Sequence, residues 1–195
     1  MNHLRRAQHF IRAAEFSRSK YQRYFYNKIA DLLSLSEDVL KYLREEYAVI
    51  PVLIGGIAVQ HYGYERQTVD LDLLVSRSDY RKLMQNGEIE HGHLIFPSAT
   101  IIDVMSEGIG GKPNPELLRD GQSMYPTFEG LILLKLIAGR AKDIADIVEL
   151  LKANNMTDTL KKKITDYLPA DKVEQFILLW LEAAKEKKQA RRHPS

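Results

Sequence analysis

The chain has 195 residues, of which 45% are hydrophobic and 28% charged, and its formal net charge of +2 is too small to indicate nucleic-acid binding by itself. The absence of cysteine excludes a disulfide scaffold, a Cys-ligated zinc site and thiol catalysis. Since no apolar run approaches the roughly 18 residues of a membrane span, and the N-terminal segment lacks the apolar core of a secretory signal, we expect a cytoplasmic protein without a membrane partner.

Residues 1–47 are predicted to form a helical N-terminal extension, because apolar residues recur there at helical spacing. The first 28 residues are rich in basic and aromatic side chains, among them Arg18 and Tyr21. Such a segment either contacts RNA through phosphates and stacked bases, or docks its aromatic rings on the core while its arginines stay in solvent. We favour the second interpretation.

A glycine pair follows the first predicted core strand, which we expect over residues 48–54. Gly55 and Gly56 stand at the end of this strand, and a short helix is predicted over residues 57–62. Glycine at a strand-to-helix turn lets backbone N–H groups approach a ligand closely, and a helix N-terminus favours anions. The pair therefore predicts a phosphate-binding turn.

Two aspartates alternate with aliphatic residues in the second predicted strand, residues 69–76. Because strand side chains alternate, Asp70 and Asp72 share a face with Arg66 and Thr68, while the aliphatic residues face a core. Two adjacent carboxylates repel each other unless they hold a cation, and hard oxygen ligands suit Mg²⁺. Arg66 and Thr68 either orient a phosphate or Asp70, or make ordinary structural contacts such as a salt bridge.

The ordered combination of an apolar strand, Gly55-Gly56, a spacer and Asp70-x-Asp72 resembles the nucleotidyltransferase fold of the DNA polymerase β type. The segment GGIAVQHYGYERQTVDLDLLV is similar to small prokaryotic nucleotidyltransferases that include the abortive-infection and toxin–antitoxin toxins. The resemblance implies an α/β (α+β) fold, with a small mixed sheet and flanking helices forming a catalytic core over residues 48–125.

Later in this core we expect a helix over residues 80–85 and strands over residues 93–96 and 99–105. Asp103 breaks the apolar pattern of the last strand. Enzymes of the resembled fold carry a third carboxylate on a later strand beside Asp-x-Asp, and the resemblance assigns that role to Asp103; an aspartate facing solvent is the alternative. The glycine- and proline-rich segment 108–115 is predicted to be a loop that can act as a flap over the site.

Three histidines suggest a second kind of metal site, but we interpret all of them as surface residues. His61 follows the glycine helix, and His91-x-His93 lies in a predicted turn with no acidic partner nearby. No nucleophile-elbow motif and no P-loop motif occurs in the sequence.

A C-terminal helical part is predicted over residues 126–195. Lys135 is the lone cation of the apolar helix LILLKLIAG and needs a partner, for which a triphosphate or a carboxylate would serve. The next helix carries Lys142 and Asp143 off its apolar stripe. The two helices resemble the family's second signature, in which such charges flank the nucleotide. Lys135 and Asp143 stay open between this role and a structural one; for Lys142 we favour the structural role. For the basic tail after residue 185, which could bind RNA or an acidic partner, a solvated end is favoured.

The resemblance implies Mg²⁺-dependent transfer of a nucleoside monophosphate from a nucleoside triphosphate, such as ATP, to a hydroxyl, with release of pyrophosphate. Two Mg²⁺ ions are implied, and Mn²⁺ is an alternative. The site residues are Asp70, Asp72 and Asp103 for metal binding and catalysis, and Gly55, Gly56, Arg66, Thr68, Lys135 and Asp143 for the nucleotide.

The acceptor stays open between an RNA end, a protein and a small molecule. The protein can be the toxin of a toxin–antitoxin pair, with an antitoxin as its partner. The alternative is a non-catalytic regulator that binds a nucleotide or a partner on the same fold, although a binding protein has no need for three crowded carboxylates.

Overall fold

The computed structural model of the protein describes residues 32–96, 98 and 100–192. The basic and aromatic segment at the N-terminus and the last three residues of the basic tail lie outside the described residues, and the interpretations of these two segments stay predictions.

Within the described residues, the helices are α1 (Leu32–Tyr47), α2 (Gly55–His61), α3 (Arg77–Gln85), α4 (Phe128–Ala138), α5 (Ala141–Ala153), α6 (Asp158–Tyr167) and α7 (Ala170–Arg192). The strands are β1 (Val52–Ile54), β2 (Asp70–Val75), β3 (Ile89–Glu90), β4 (His93–Leu94) and β5 (Ile101–Ser106). Two short 3₁₀ turns follow β5, at Ile109–Gly111 and Pro115–Leu117.

The five strands form one mixed sheet in the order β1-β2-β5-β4-β3. The central pair, β2 and β5, is parallel, and the other neighbours are antiparallel. A parallel pair needs a crossover connection, and here the crossover contains α3, β3 and β4. The sheet and its flanking helices confirm the predicted α+β class.

One face of the sheet packs on the first hydrophobic core. Leu71 and Leu73 of β2 are completely buried there, together with Val39 and Leu43 of α1. The prediction that Val69 belongs to this face is wrong, because β2 begins only at Asp70 and the Val69 side chain is 64% exposed.

The opposite face, which carries the aspartates, is covered at one end only. Leu74 of β2 is buried there against Leu134 of α4 and against Leu118, which follows the second 3₁₀ turn. Thr127 caps α4, as its hydroxyl accepts a hydrogen bond from the Gly130 N–H. Helices α2, α5, α6 and α7 pack around α4 in a second core, which includes Phe176 of α7. The uncovered part of the sheet face opens into a cavity.

The first strand is shorter than the predicted residues 48–54. Ala48 has a positive φ of 49°, and Pro51 lacks the N–H group that a ladder requires, so pairing starts at Val52. A further short strand, β3, was not predicted. None of the described helices is long and apolar enough to span a bilayer.

Candidate functional site

Three carboxylates meet where the two parallel strands lie side by side. Asp70 and Asp72 stand on β2 and Asp103 on β5, and the pairing places Asp103 directly beside Asp72. One carboxylate oxygen from each residue lies within 4.8 Å of the other two. Paired residues on neighbouring strands point to the same face, so the cluster follows from the strand pairing.

Of the three carboxylates, Asp72 is the one whose ionised form is most strongly disfavoured. Burial raises the pKa of Asp72, and the neighbouring carboxylates of Asp70 and Asp103 raise it further, to about 6, against the opposing effect of two lysines. Three hard oxygen donors at this spacing, held in an environment that penalises their charge, could hold a metal ion.

The glycine pair lies against this cluster. Gly55 has a φ of 68°, and a Cβ atom at this position would overlap the carboxylate of Asp72. A Cβ atom on Gly56 would lie 2.5 Å from Cβ of Thr68. Only glycine therefore lets the turn between β1 and α2 approach the aspartates this closely.

Thr68 orients the first aspartate. Its side chain is buried, and its hydroxyl donates a 3.0 Å hydrogen bond to Oδ1 of Asp70. Thr68 therefore contacts Asp70, which is one of the interpretations left open for it. Nη1 of Arg66 lies 2.5 Å from Oδ2 of Asp146 on α5, so Arg66 forms a salt bridge. A contact of either residue with a phosphate stays a prediction.

A buried ion cluster joins α4 to α5 behind the cavity. Nζ of Lys135 lies 3.0 Å from Oδ1 of Asp143 and 2.6 Å from Oδ2 of Asp146. Arg140 also contacts Asp143, with Nε 2.6 Å from Oδ2. The partner that the lone lysine of α4 requires is therefore a pair of carboxylates from the next helix.

Both of these carboxylates are buried, Asp143 completely and Asp146 to 97%. Burial alone would raise the pKa of Asp143, but hydrogen bonds from Arg140 and Lys135 outweigh it and hold the pKa below its ordinary value. Asp143 is thus ionised within an ion cluster. Asp146 was not predicted, and the signal that could have found it is its position three residues after Asp143.

A cavity of about 400 Å³ separates the aspartates from α4 and α5. All of the predicted site residues except Thr68 line this cavity. Its lining also includes the cations Lys112, Arg140 and Lys142 and apolar side chains of α4 such as Leu131 and Leu134. The cavity therefore combines carboxylates, cations and apolar side chains around a space that a small molecule can enter.

The loop after β5 contributes to this cavity. Gly110, in the first 3₁₀ turn, and Lys112, immediately after it, are part of the lining. This position agrees with the predicted flap, whose motion stays a prediction.

His93 corrects the interpretation of the histidines. Its side chain is 53% exposed, as expected for a surface residue, but Nδ1 lies 2.6 Å from Oδ1 of Asp103. The expectation that His93 has no acidic partner is wrong, because the pairing of β4 with β5 places it directly opposite Asp103. His61, by contrast, is exposed and stacks on Tyr125, with 3.9 Å between the ring centroids.

No family model matches the chain, and no curated protein matches its sequence. The resemblance to nucleotidyltransferases therefore depends on the motif residues of the sequence.

Proposed function

We propose that the protein is a divalent-metal-dependent nucleotidyltransferase that moves a nucleoside monophosphate from a nucleoside triphosphate to a hydroxyl acceptor. One observation carries this proposal. Three carboxylates from two parallel strands meet within 4.8 Å in a cavity that the cations Lys112, Arg140 and Lys142 also line. A nucleoside triphosphate with its metal requires anionic oxygens for the cation and cations for the phosphates, and the cavity offers both.

The phosphates would lie against the cations that line the cavity. Lys112 and Lys142 are among these cations, and within the described part of the chain neither forms a salt bridge with a carboxylate. Arg140 already neutralises Asp143, although its side chain stays 62% exposed and can accept a second partner. Lys135 is held by two carboxylates, so its part in the proposal is to fix α4 against α5.

The cation would be held by Asp70, Asp72 and Asp103. A bound Mg²⁺ supplies neutralisation of the phosphate charge and activation of the reacting oxygens. The protein's own contribution is to hold the three carboxylates at a fixed spacing, through the strand pairing, the Thr68 hydroxyl and the glycine turn.

The reaction forms one bond and breaks another at the α-phosphorus. The acceptor hydroxyl oxygen bonds to that phosphorus, the bond to the bridging oxygen of pyrophosphate breaks, and pyrophosphate leaves. Asp103 is the proposed acceptor of the hydroxyl proton, because its side chain is 30% exposed while Asp72 is more deeply enclosed.

The test is transfer of label from each of four α-³²P-labelled nucleoside triphosphates with Mg²⁺, using total RNA and cell lysate as acceptors. The wild type is compared with Asp70→Asn and Asp72→Asn. Asp171→Asn is the matched control, because this aspartate of α7 is 72% exposed. We expect label in one acceptor class with the wild type and the control, and none with the two site variants.

Two results would contradict the proposal. One is transfer by Asp72→Asn at the wild-type rate, and the other is no transfer by folded wild-type protein with any nucleotide and either acceptor pool. In the second case, retained binding of the Mg²⁺–nucleotide complex would favour the non-catalytic regulator.

A further inference from the structure

Each of the three clustered carboxylates has a different neighbour that restricts it. The Thr68 hydroxyl holds Asp70, and the glycine turn packs against Asp72. Asp103 is more exposed than Asp72, and its same-face neighbours two residues away on β5 are the apolar side chains Ile101 and Met105. These side chains offer Asp103 no hydrogen-bond donor.

The donor for Asp103 comes from the next strand. Nδ1 of His93 lies 2.6 Å from Oδ1 of Asp103. A carboxylate that holds a cation is ionised and can only accept hydrogen bonds, so Nδ1 would carry the proton and donate it when the site holds a cation. The contact occupies Oδ1 and leaves Oδ2 outside this hydrogen bond.

We propose that His93 is a positioning residue of the carboxylate cluster, which fixes Asp103 through this hydrogen bond and sets the oxygen that Asp103 presents to a divalent cation. The inference rests on the proposed function, because it assigns His93 a part in the same metal site. His93 itself is not a member of the group of ligand atoms that lie within 4.8 Å of one another. It therefore acts on the cation through Asp103 and not as a ligand.

The backbone supports this role. β4 pairs with β5 so that His93 and Asp103 are direct cross-strand partners, and such partners have Cβ atoms close enough for their side chains to meet. A contact between two side chains as exposed as these adds little to folding stability, whether or not the histidine is charged. Removal of the His93 ring should therefore change the metal site and leave the fold intact.

The direct test measures binding of Mn²⁺ to purified, metal-free protein by electron paramagnetic resonance, without nucleotide or acceptor. His93→Leu removes the donor and should weaken Mn²⁺ binding about 10-fold, as loss of an outer hydrogen bond to a metal ligand does elsewhere. His93→Asn keeps an N–H close to the position of Nδ1 and should restore most of this affinity. His93→Gln places its N–H near Nε2 and should behave like His93→Leu.

His91→Asn is the matched control, because His91 is exposed two residues away and asparagine tolerates its positive φ of 52°. We expect this variant to bind Mn²⁺ like the wild type. The thermal midpoints of all variants should agree closely with that of the wild type, and nucleotide transfer by His93→Leu should recover at saturating Mn²⁺.

Three results would overturn the inference: wild-type Mn²⁺ affinity in His93→Leu and His93→Gln, equal losses in His93→Asn and His93→Gln, or no Mn²⁺ binding by the wild type. The result is separable from the proposed function. If the variants rank as expected in Mn²⁺ binding but the wild type transfers no nucleotide, the inference on His93 stands and the transferase proposal fails.

Discussion

Gly55 and Asp72 lie so close together that a Cβ atom on residue 55 would occupy the space of the Asp72 carboxylate. Gly55 directly follows β1, which pairs with β2 in antiparallel orientation so that Ile54 lies opposite Asp72. The turn after β1 and the aspartate pair of β2 are therefore a single packed unit, and a change in one displaces the other.

Replacement of Gly55 by alanine should abolish metal binding and nucleotide transfer. The variant Gly121→Ala is its control, because both glycines have positive φ values, 68° and 56°, but nothing lies within 4 Å of a Cβ on Gly121. We expect Gly121→Ala to lose about 1 kcal/mol of stability in urea unfolding, through the backbone conformation alone, and to keep its activity. Equal Mn²⁺ affinities for the two variants would show that the turn does not position Asp72.

Removal of the Asp72 charge should stabilise the metal-free protein at neutral pH. The pKa of Asp72 is about 6 in the folded protein and 3.8 in the unfolded chain, so the folded state binds this proton more tightly. The resulting stabilisation is complete below pH 4 and is lost as the pH rises through 6. Asp72→Asn should therefore be more stable than the wild type at pH 7.5, by at most about 3 kcal/mol, and the difference should vanish near pH 3.5.

Thermal unfolding with and without Mg²⁺ across this pH range measures the effect. Added Mg²⁺ should raise the midpoint of the wild type and leave that of Asp72→Asn nearly unchanged, because a ligand stabilises the state that binds it. A variant that is less stable than the metal-free wild type at pH 7.5 would contradict the assignment of Asp72 as a penalised charge.

Loss of the buried lysine should destabilise the protein. Lys135→Met fills a similar volume but leaves Asp143 and Asp146 buried with fewer cations, and we expect a cost of about 3 kcal/mol. Lys142→Met is the control, since Lys142 is exposed and its replacement should change stability by less than about 0.5 kcal/mol. Urea unfolding midpoints of the two variants measure these changes in stability.

Lys142→Met should also change activity under the proposed function. Because Lys142 lines the cavity, we expect its loss to raise the KM for the nucleoside triphosphate.

The hydroxyl of Thr68 should matter for metal affinity. Thr68→Val keeps the shape of the buried side chain but removes the donor to Asp70, and we expect Mn²⁺ binding to weaken about 10-fold. Thr68→Ser keeps the hydroxyl and should stay close to the wild type. If serine and valine weaken binding equally, the packing of the threonine methyl group and not the hydrogen bond supports the site.

The strand of the aspartate pair was predictable from the sequence because its pattern is local. Leu71 and Leu73 alternate with Asp70 and Asp72, and a period of two residues determines which side chains share a face. The lone lysine of the apolar helix α4 was informative for a different reason, since a buried cation requires a partner.

The pairing of these partners was not identified from the sequence, because it depends on how separate elements meet. Asp146 lies on the polar side of α5, which the sequence pattern alone would place in solvent. In the fold, Lys135 of α4 and Arg66 of the loop before β2 cover this side. His93 belongs to a strand of two residues, too short for any periodic pattern, and its contact with Asp103 depends on strand pairing alone. The periodicity of a sequence shows which side chains share a face of one helix or strand. It does not show which other element packs against that face.

The parallel pairing of β2 with β5 also determines where the chain can change length. A single residue inserted at the start of β5 would turn Asp103 toward the apolar core and bring Ile102 to the cavity, which would erase the carboxylate cluster. Residues inserted between His91 and Gly92 would instead extend the exposed turn between β3 and β4 and leave both aspartate-bearing strands in place. Natural length variation, fused tags and grafted peptides therefore belong at this turn.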